Sequence, residues 1–442
     1  MKFCPNCGKE NPDNRIFCAF CKKSLRRYRA EMKVTMTAPT ELVTPEKTAS
    51  PEENNGSGKL YKPEGTMDET ACGLKKVVYV LGTHNEVTIG RDPGCDIVSH
   101  SLFVSRNHIR IISWSGRYFA EDLKSDAGTY LNGAPLTGSA MLQEGDCLSI
   151  CDQNFYFRDG KIIYWEREKG TGRDVKSVEE RPVILKADIE TKWGKSYYGD
   201  GIKEFLRDIH LEIKEGTLVA LLGAAGADET ILMNCLGGKY LEGVRGRVVY
   251  RDVDLMQNYE RMKFLIGSVP QTWRIHQSFT PEQDLRMAAR KRLPADTTDA
   301  EIEAQVDKTL EMLRLNGVRN NPNKKLTGCE RTRLNIGLEL VADRDLLCLD
   351  EPDQGLSPNY REELFEIMGN LAHESGKTVL ATIRDVFWID MFDQVIMLAK
   401  ADGVGQLAFA GTPEEGRSYF GESDFNKVYA LLDTDPARYI NK

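Results

Sequence analysis

Four cysteines near the start of the chain stand in two pairs that have the same internal spacing. The pattern is C-x2-C-x10-C-x2-C, and it is formed by Cys4, Cys7, Cys18 and Cys21. Two such turns can present four thiolates to one cation, which is the tetrahedral ligation of structural Zn2+ sites. The alternative is a redox dithiol pair, which normally accompanies a βα unit, and no such pattern surrounds these cysteines. The spacing therefore predicts a structural zinc ion with no open coordination position.

Residues 1–25 resemble the bacterial zinc-ribbon module. A segment this short cannot bury enough apolar surface to fold alone, so metal binding would supply its folding free energy. The next segment, residues 26–71, is rich in Thr, Pro, Glu and Asn and has no sustained hydrophobic period. This composition predicts a disordered linker between the zinc ribbon and the rest of the chain.

A second group of candidate residues lies in loops between short β-rich segments. Its members are Gly90, Arg91, Ser105, Arg106, His108 and Asn132. Their order within residues 72–165 resembles the forkhead-associated (FHA) domain, an all-β sandwich whose loops recognise phosphothreonine. An arginine fork with hydroxyl and backbone donors suits a phosphate group, whose charge is about −2. The resemblance therefore implies a phosphopeptide-binding site at one end of the sandwich.

The same resemblance implies a role for each member of this group. Arg91 and Ser105 match the phosphate contacts of the family, and Arg106 matches a contact from a neighbouring loop. The remaining members match structural positions: Gly90, His108 and Asn132. The partner implied is a phosphothreonine protein, or the chain's own linker, which contains several threonines.

The chain departs from the FHA family at Asp126 and Ala127, where the family commonly has Thr-Asn. Ala127 cannot donate a side-chain hydrogen bond, and Asp126 brings a negative charge toward a phosphate dianion. Like unit charges at ~4 Å repel by about 4 kcal/mol at an effective dielectric of about 20. Arg91 and Ser105 nevertheless keep the charge-assisted part of the site. A phosphothreonine site and a sandwich kept for packing against another domain both stay open.

From Phe205 to the C-terminus the chain resembles an ATP-binding-cassette (ABC) ATPase domain. The resemblance rests on the strand–loop–helix segment LVALLGAAGADETILMNCLGG and on IGSVPQ, LTGCE and LDEPDQGLS further along the chain. It implies that Gln271 is the Q-loop residue, Asp350 the Mg2+ partner and Glu351 the water-polarising carboxylate. The segment GQLAFAGTPEEGRSYFG is similar to the end of the ABC subfamily whose ATPase halves sit beside lipid or peptide permeases. Some members of that subfamily carry an FHA domain, and those members usually continue into a six-helix membrane region, which this sequence does not include.

The phosphate-binding loop, or P-loop, corresponds to residues 223–230, which begin at Gly223 and include Gly226. A working loop has the form G-x4-G-K-[ST], in which Lys neutralises the phosphates and Ser or Thr binds Mg2+. Here Asp228 replaces the second glycine and Glu229 replaces the lysine, whereas Thr230 keeps its hydroxyl. Replacing a cation by an anion at ~4 Å changes the interaction by about 8 kcal/mol, as much as a whole micromolar affinity. We therefore expect no ATP or Mg2+ binding in the usual pose.

Other catalytic motifs of the ABC family are altered as well. In the signature segment Cys329 and Glu330 replace a glycine and a glutamine, so they add bulk and negative charge where a γ-phosphate would approach. Ser357 stands at the position of the D-loop aspartate, and Ile383 is expected at the position of the switch histidine. No catalytic residue is therefore predicted in this domain, in which Asp350 and Glu351 are interpreted as vestigial.

The elements that position these residues define a multidomain chain. Its 442 residues suggest about three domains. Alternating β-rich runs up to Trp165 predict a sandwich, and alternating strands and helices from Val183 predict an α/β, P-loop NTPase-like domain. The predicted boundaries are zinc ribbon, linker, FHA sandwich, second linker and degenerate ABC domain, at residues 1–25, 26–71, 72–165, 166–182 and 183–442.

Charge and hydropathy exclude two classes of partner. The net charge of −8 argues against nucleic-acid binding by the whole chain, because such binding requires a basic face. No apolar run approaches the ~18 residues of a membrane span, and no apolar stretch follows Met1 as in a secretory signal. We expect a cytoplasmic protein that reaches a membrane only through a partner.

Three functions are compatible with these residues. The favoured prediction is a non-catalytic, phosphothreonine-reading adaptor or regulator whose pseudo-ATPase domain docks on a transporter or a Ser/Thr-kinase partner. The competing prediction is an ATP-binding subunit of an ABC transporter that has ATPase activity. The third is a phosphopeptide receptor that uses the other domains as a scaffold. An ABC permease and a second ABC domain are the protein partners expected.

Overall fold

A computed structural model describes residues 2–3, 10–11, 74–83, 85–167, 178–195, 201–224 and 226–440. The chain divides into two units, Met1–Gly65 and Thr66–Lys442. In the first unit, the described residues form an antiparallel pair of short strands, β1 (Lys2–Phe3) and β2 (Glu10–Asn11). The predicted linker and the predicted zinc ligands lie outside the described residues: Cys4, Cys7, Cys18 and Cys21.

The second unit begins with a sandwich of antiparallel character. Its described strands are β3 (Leu74–Val80), β4 (Glu86–Gly90), β5 (Ile97–Val98), β6 (Ile109–Trp114), β7 (Arg117–Asp122), β8 (Tyr130–Leu131), β9 (Ala134–Pro135), β10 (Ser139–Met141), β11 (Cys147–Ile150), β12 (Gln153–Arg158) and β13 (Lys161–Arg167). They form two sheets, in the orders β10-β7-β6-β4-β5 and β3-β13-β12-β11-β8-β9. Alternate residues such as Val87 and Ile89 are buried between the sheets, as the period of a strand requires. The predicted all-β sandwich is confirmed.

The remainder of the second unit is an α/β domain around one mixed sheet. Its strands are β14 (Val183–Lys195), β15 (Ile202–Lys214), β16 (Leu218–Gly223), β17 (Val244–Tyr250), β18 (Val253–Asp254), β19 (Ile266–Val269), β20 (Leu346–Leu349), β21 (Thr378–Thr382), β22 (Gln394–Ala401) and β23 (Val404–Gly411). Its helices are α1 (Glu229–Leu236), α2 (Leu255–Met262), α3 (Pro281–Arg292), α4 (Asp299–Met312), α5 (Gly328–Leu340), α6 (Pro358–His373), α7 (Pro413–Phe420) and α8 (Phe425–Thr434). The predicted P-loop fold is confirmed.

The parallel part of this sheet positions the candidate nucleotide site. The sheet order is β18-β17-β14-β15-β23-β22-β16-β21-β20-β19. Strand β16 pairs in parallel with β21 and β22, and β21 pairs in parallel with β20. These strands are almost wholly apolar and buried, as expected for parallel strands covered on both faces. The segments that follow β16, β20 and β21 therefore meet at one edge of the sheet, where ligands of such folds bind.

Arginines of the α/β domain hold the sandwich in place. Arg251 follows β17 and pairs with Asp152 of the sandwich, and it also lies 3.0 Å from the Asp345 carboxylate of its own domain. Arg261 in α2 donates a hydrogen bond of 3.0 Å to the Asn154 side chain. The Arg251 and Arg261 side chains are largely buried, so these contacts form a closed interface between the two domains.

Within the described part of the chain, none of the helices combines the length and the apolar character that crossing a bilayer requires.

Candidate functional site

The loops at one end of the sandwich bring together four residues that we call the recognition face: Arg91, Ser105, Arg106 and Asp126. The Arg91 amide donates to the Ser105 carbonyl (3.1 Å), and the Asp126 amide donates to the Ser105 hydroxyl (3.4 Å). Gly90 permits this approach, because a Cβ atom there would lie 2.0 Å from the Arg106 carbonyl oxygen. The fold thus places the predicted phosphopeptide residues side by side.

His108 connects two loops behind the recognition face. The Ser105 amide donates to His108 Nδ1 (3.0 Å), and Nε2 lies 3.4 Å from the Gly128 carbonyl oxygen. Burial lowers the pKa of His108 despite the nearby Asp122 carboxylate, so the ring is neutral at neutral pH and accepts at Nδ1. In a separate turn, Asn132 adopts a left-handed conformation and forms side-chain hydrogen bonds to the start of β11.

The cations of the recognition face contact carboxylates of the α/β domain. These carboxylates belong to residues 294–301, which comprise the connection from α3 to α4 and the first residues of α4 and which we call the acidic turn. Arg91 donates to Asp296 (2.9 Å) and to the Thr297 hydroxyl (3.2 Å), and it also pairs with Glu301. The Arg106 amide donates to the second Asp296 oxygen (2.5 Å). The acidic turn therefore supplies anionic oxygens to the groups that were predicted to bind phosphate.

The unusual Asp126 takes part in the same contact. Its carboxylate accepts a hydrogen bond of 2.7 Å from the Ala295 amide in the acidic turn. The Arg91 side chain is 6% exposed, and Ser105 is 5% exposed. Arg91 and Ser105 are therefore shielded from solvent, whereas the Arg106 side chain is 34% exposed and Asp126 is exposed.

The described residues of the P-loop carry two carboxylates at the start of α1, at positions 228 and 229. Asp228 adopts a left-handed conformation (φ 62°) directly before α1, where the family pattern has glycine. A Cβ atom on Gly223 would lie 2.4 Å from Cγ of Glu229, so the Glu229 side chain lies against the loop backbone. Burial is the main reason that the pKa of Glu229 is raised. A carboxylate therefore lies where the family pattern has the phosphate-binding lysine.

The carboxylates after β20 contact residues from three other segments. Asp350 accepts from the Thr230 hydroxyl (3.2 Å) and from the Thr382 hydroxyl (2.9 Å). Glu351 accepts from Gln271 (3.1 Å) and forms an ion pair of 2.5 Å with Arg384. The structure therefore brings together the predicted Thr230, Gln271, Asp350 and Glu351, with an arginine added to the group.

Sequence reasoning missed the arginine because its position was displaced by one residue. The structure places Arg384, not Ile383, beside Glu351, and Ile383 is 3% exposed in the core. Successive side chains at a strand end point to opposite faces, so a displacement of one residue exchanges a buried and an exposed side chain. Two lysines near the P-loop were also missed. Lys203 lies 3.1 Å from the Asp228 carboxylate, and Lys400 Nζ would lie 2.9 Å from a Cβ atom on Gly226.

The signature segment supplies the side chains that accept hydrogen bonds from the backbone amides at the start of α5. Thr327 and Glu330 form a capping box at the N-terminus of α5, in which Glu330 accepts from the Thr327 amide (2.7 Å). Cys329 is buried, and burial raises the pKa of its thiol to about 11. A carboxylate therefore stands at the helix N-terminus that would face a γ-phosphate. The T-x-x-E spacing is the sequence signal from which this capping box could have been predicted.

The described residues contain no cluster of three or more His, Cys, Asp or Glu side chains that could hold a metal ion.

Sequence-family comparisons assign both large domains. The FHA domain model matches residues 87–151, and the ABC transporter model matches residues 206–354. The chain therefore contains an FHA domain followed by an ABC-transporter ATPase domain, and the predicted presence of both is confirmed.

Curated relatives are transporter proteins of greater length. An ABC transporter ATP-binding/permease protein from Mycobacterium tuberculosis is 30% identical over 358 residues, which are 80% of this chain and 39% of the relative. ABC transporter G family member 26 from Arabidopsis thaliana is 30% identical over 248 residues, 54% of this chain and 35% of the relative. The chain thus spans less than half the length of these relatives. A solved ATP-binding subunit of an ABC transporter has 22% identity and a TM-score of 0.45 and covers 57% of this chain and 100% of its own.

Proposed function

We propose that the chain is a non-catalytic regulator. Its ABC domain serves as a docking surface for a transporter or a Ser/Thr-kinase partner, and its FHA domain reads phosphothreonine in signalling. The observation that carries this proposal is the Glu229 carboxylate lying against the P-loop backbone at Gly223, in the place where an active ATPase of this fold has a lysine.

The charges around the P-loop support this proposal. Lys203 pairs with Asp228, and Arg384 pairs with Glu351, so each of these cations already has a carboxylate of the domain as its partner. A triphosphate would have to displace Glu229 and compete for both lysine and arginine. Opposed charges contribute about 4 kcal/mol at ~4 Å and an effective dielectric of about 20, so the reversal at residue 229 decides the balance against binding.

Titration calorimetry of the purified chain with Mg-ATP tests the proposal. We expect no binding by the natural sequence at nucleotide concentrations up to about 1 mM, which corresponds to about 4 kcal/mol. The double variant Asp228→Gly/Glu229→Lys restores the glycine and the cation, and we expect it to bind Mg-ATP at least about 100-fold more tightly. The matched control is Glu362→Lys, because Glu362 is exposed on α6 away from this loop.

Either of two results would contradict the proposal. One is Mg-ATP binding by the natural sequence with a Kd well below 1 mM, on the order of the micromolar affinities of nucleotide sites. The other is ATP hydrolysis by the natural sequence that Glu351→Gln abolishes. Equal binding by the double variant and the Glu362→Lys control would show that residues 228 and 229 do not set the affinity.

One observation favours a second function, an ATP-binding subunit of an ABC transporter. Thr230 and Asp350, the predicted Mg2+ partners, lie 3.2 Å apart, and Gln271 contacts Glu351. These residues would hold the metal and orient a water if a cation from elsewhere replaced the P-loop lysine. Lys203, on β15, is a candidate for this cation because its amine lies 3.1 Å from the Asp228 carboxylate. Loss of Mg-ATP binding on Lys203→Ala, after binding by the natural sequence, would select this function.

Two further parts of the proposal rest on sequence patterns. The zinc ion at Cys4, Cys7, Cys18 and Cys21 is proposed from ligand spacing. A permease contact is proposed for residues 274–283, which follow Gln271 where ABC domains couple to membrane helices. The names of the relatives, which join ATP-binding and permease functions, support a partner of this class.

A further inference from the structure

We propose that the chain's own acidic turn occupies the recognition face as an intramolecular ligand, so that a phosphothreonine peptide must displace it. The carboxylates of Asp296 and Glu301 would take the place of a phosphate group. This inference rests on the FHA part of the proposed function and adds the regulation of the same site.

The geometry at Arg91 carries the inference. One guanidinium contacts two carboxylates, Asp296 and Glu301, and the Arg106 amide donates to the other oxygen of Asp296. A fork of this kind, completed by a backbone donor, is the arrangement that binds phosphate. Arg91 and Ser105 are also largely inaccessible in this state. An external phosphate therefore cannot reach Arg91 while the acidic turn is in place.

Asp126 discriminates between the two occupants. Its carboxylate would repel a phosphate dianion, but it accepts a hydrogen bond from the Ala295 amide of the acidic turn. The family substitution that weakens the prediction of phosphothreonine binding therefore contributes a favourable contact to the intramolecular ligand. The recognition face is complementary to both the carboxylates and the backbone of the acidic turn.

The acidic turn is held in shape by the helix that follows it. Thr298 and Glu301 form a capping box at the start of α4, in which Glu301 Oε2 accepts from the Thr298 amide (2.7 Å). Glu301 Oε1 pairs with Arg91. Burial acts to raise the pKa of Glu301, but hydrogen bonds from Thr298 and the charges of Arg91 and Arg106 lower it below its ordinary value. Glu301 is therefore an ionised and preorganised partner at neutral pH.

A phosphothreonine can compete because it carries more charge and more acceptor oxygens than a carboxylate. The apparent Kd of such a ligand rises as the fraction of open recognition face falls. Removing the charges of the acidic turn should consequently tighten phosphopeptide binding without changing any residue of the recognition face.

Phosphopeptide binding by the full-length chain tests the inference. The probe is a library of random peptides centred on phosphothreonine, with the unphosphorylated library as reference. The variant Asp296→Asn/Glu301→Gln removes both charges, and glutamine at residue 301 keeps the capping box. Its matched control is Asp299→Asn, because Asp299 pairs with Arg290 of its own domain and not with the recognition face.

We expect the double variant to bind phosphothreonine peptides at least about tenfold more tightly than the natural sequence, which corresponds to an acidic turn in place about 90% of the time. The Asp299→Asn control should bind like the natural sequence, and adding Arg91→Ala to the double variant should abolish capture. Equal affinities of the natural sequence and the double variant would overturn the inference.

Hydrogen exchange separates failure of this inference from failure of the proposed function. The amides of Arg106 and Ala295 donate across the contact, so they should exchange at least about tenfold more slowly in the natural sequence than in the double variant. Equal rates would overturn occupation of the recognition face whatever the peptides do. Slower exchange in the natural sequence, with no peptide captured by any variant, would support occupation and reject phosphothreonine reading.

Discussion

The recognition face of the FHA domain and the P-loop of the ABC domain are both places where the fold class binds phosphate, and their charges are arranged in opposite ways. On the recognition face, Arg91 and Arg106 keep the positive charge. The Arg91 guanidinium pairs with Asp296 of the other domain, whereas the Arg106 guanidinium pairs with Asp92 of its own domain and lies 3.7 Å from the Glu301 carboxylate. At the P-loop, Glu229 has replaced the cation, and a nearby carboxylate, Glu351, pairs with Arg384 of the same domain. The first site keeps its arginines, which are paired with carboxylates, whereas the second has a carboxylate at the position of the lysine.

The difference shows that the charges at such a position can change while the local fold is kept. The backbone of each site is held by strand ends and tight turns, such as Gly90 beside Arg106 and the left-handed Asp228 before α1. These features do not depend on the ligand, so they persist when the charge changes. If the proposed occupation holds, a competitor can uncover the first site, whereas only a substitution at residue 229 restores a lysine to that position of the second.

The largest effect in this comparison is expected for Arg91→Ala. The change leaves Asp296 and Glu301 without their cation at a site where the Arg91 side chain is 6% exposed. Breaking a wholly buried ion pair costs about 3–5 kcal/mol, and the partly exposed partners reduce the expected loss in the free energy of unfolding to about 2–3 kcal/mol. Urea denaturation of the full chain measures it.

Arg110→Ala is the control for this change. Arg110 lies on the same sandwich and pairs with Glu121 at 2.7 Å, but about a third of each side chain is exposed. Its loss should be at most about 1 kcal/mol. Equal losses for the two variants would mean that the recognition face is not held by the acidic turn.

A smaller effect is expected for Arg384→Ala at the other site. Arg384 is 80% exposed, and Glu351 keeps hydrogen bonds from Gln271 and Gln354. The free energy of unfolding should therefore fall by no more than about 1 kcal/mol. The same urea experiment measures the change, and Arg314→Ala, which removes an exposed pair with Glu366, is its control. If Arg384→Ala lowered the free energy of unfolding more than Arg91→Ala does, the ion pair at the P-loop would be the more stabilising of the two, contrary to this prediction.

The smallest effect is a pair of opposite pH dependences. Burial raises the pKa of Glu229 above the ordinary 4.5, so its ionisation destabilises the fold at about pH 7, and this cost disappears as the pH falls through the raised pKa to 4.5. The pKa of Glu301 is lowered below 4.5, because Thr298 and Arg91 outweigh burial. Its contribution is present above pH 4.5 and is lost as the pH falls through the lowered pKa.

The variants Glu229→Gln and Glu301→Gln separate these two signs. At about pH 7 the first should be more stable than the natural sequence and the second less stable. Thermal unfolding at several pH values should show both differences shrinking on acidification, the first by pH 4.5 and the second below it. Differences of the same sign at neutral pH would contradict the opposite charge arrangement of the two sites.

Local patterns were sufficient to predict the architecture of both domains. Alternation of apolar residues in segments such as 86–90 predicts the sandwich strands, and the run 218–223 before a glycine-rich loop predicts the strand that leads into the P-loop. The convergence of Arg91 and Ser105 and the substitution at Glu229 were also predicted from motifs. These features depend on residues that are close in sequence or on the order of family motifs.

The contact between the two domains could not be predicted in this way. Asp296 and Glu301 lie 205 and 210 positions from Arg91, and neither belongs to a motif of its domain. Their acidic segment has the composition of an ordinary exposed loop between helices. Asp126 was interpreted only as an obstacle to phosphate, because its partner, the Ala295 amide, is a backbone group that carries no sequence signal.

The contacts of Arg251 and Arg261 with the sandwich affect how strongly a competing ligand must bind to displace the acidic turn. Because these arginines contact the sandwich away from the recognition face, we expect a displaced acidic turn to stay near it, at an effective local concentration on the order of millimolar. Dilution or abundance of the protein would not alter that value. A binding partner must therefore compete with this fixed local concentration, which depends on the length and stiffness of the segment that connects the acidic turn to the interface.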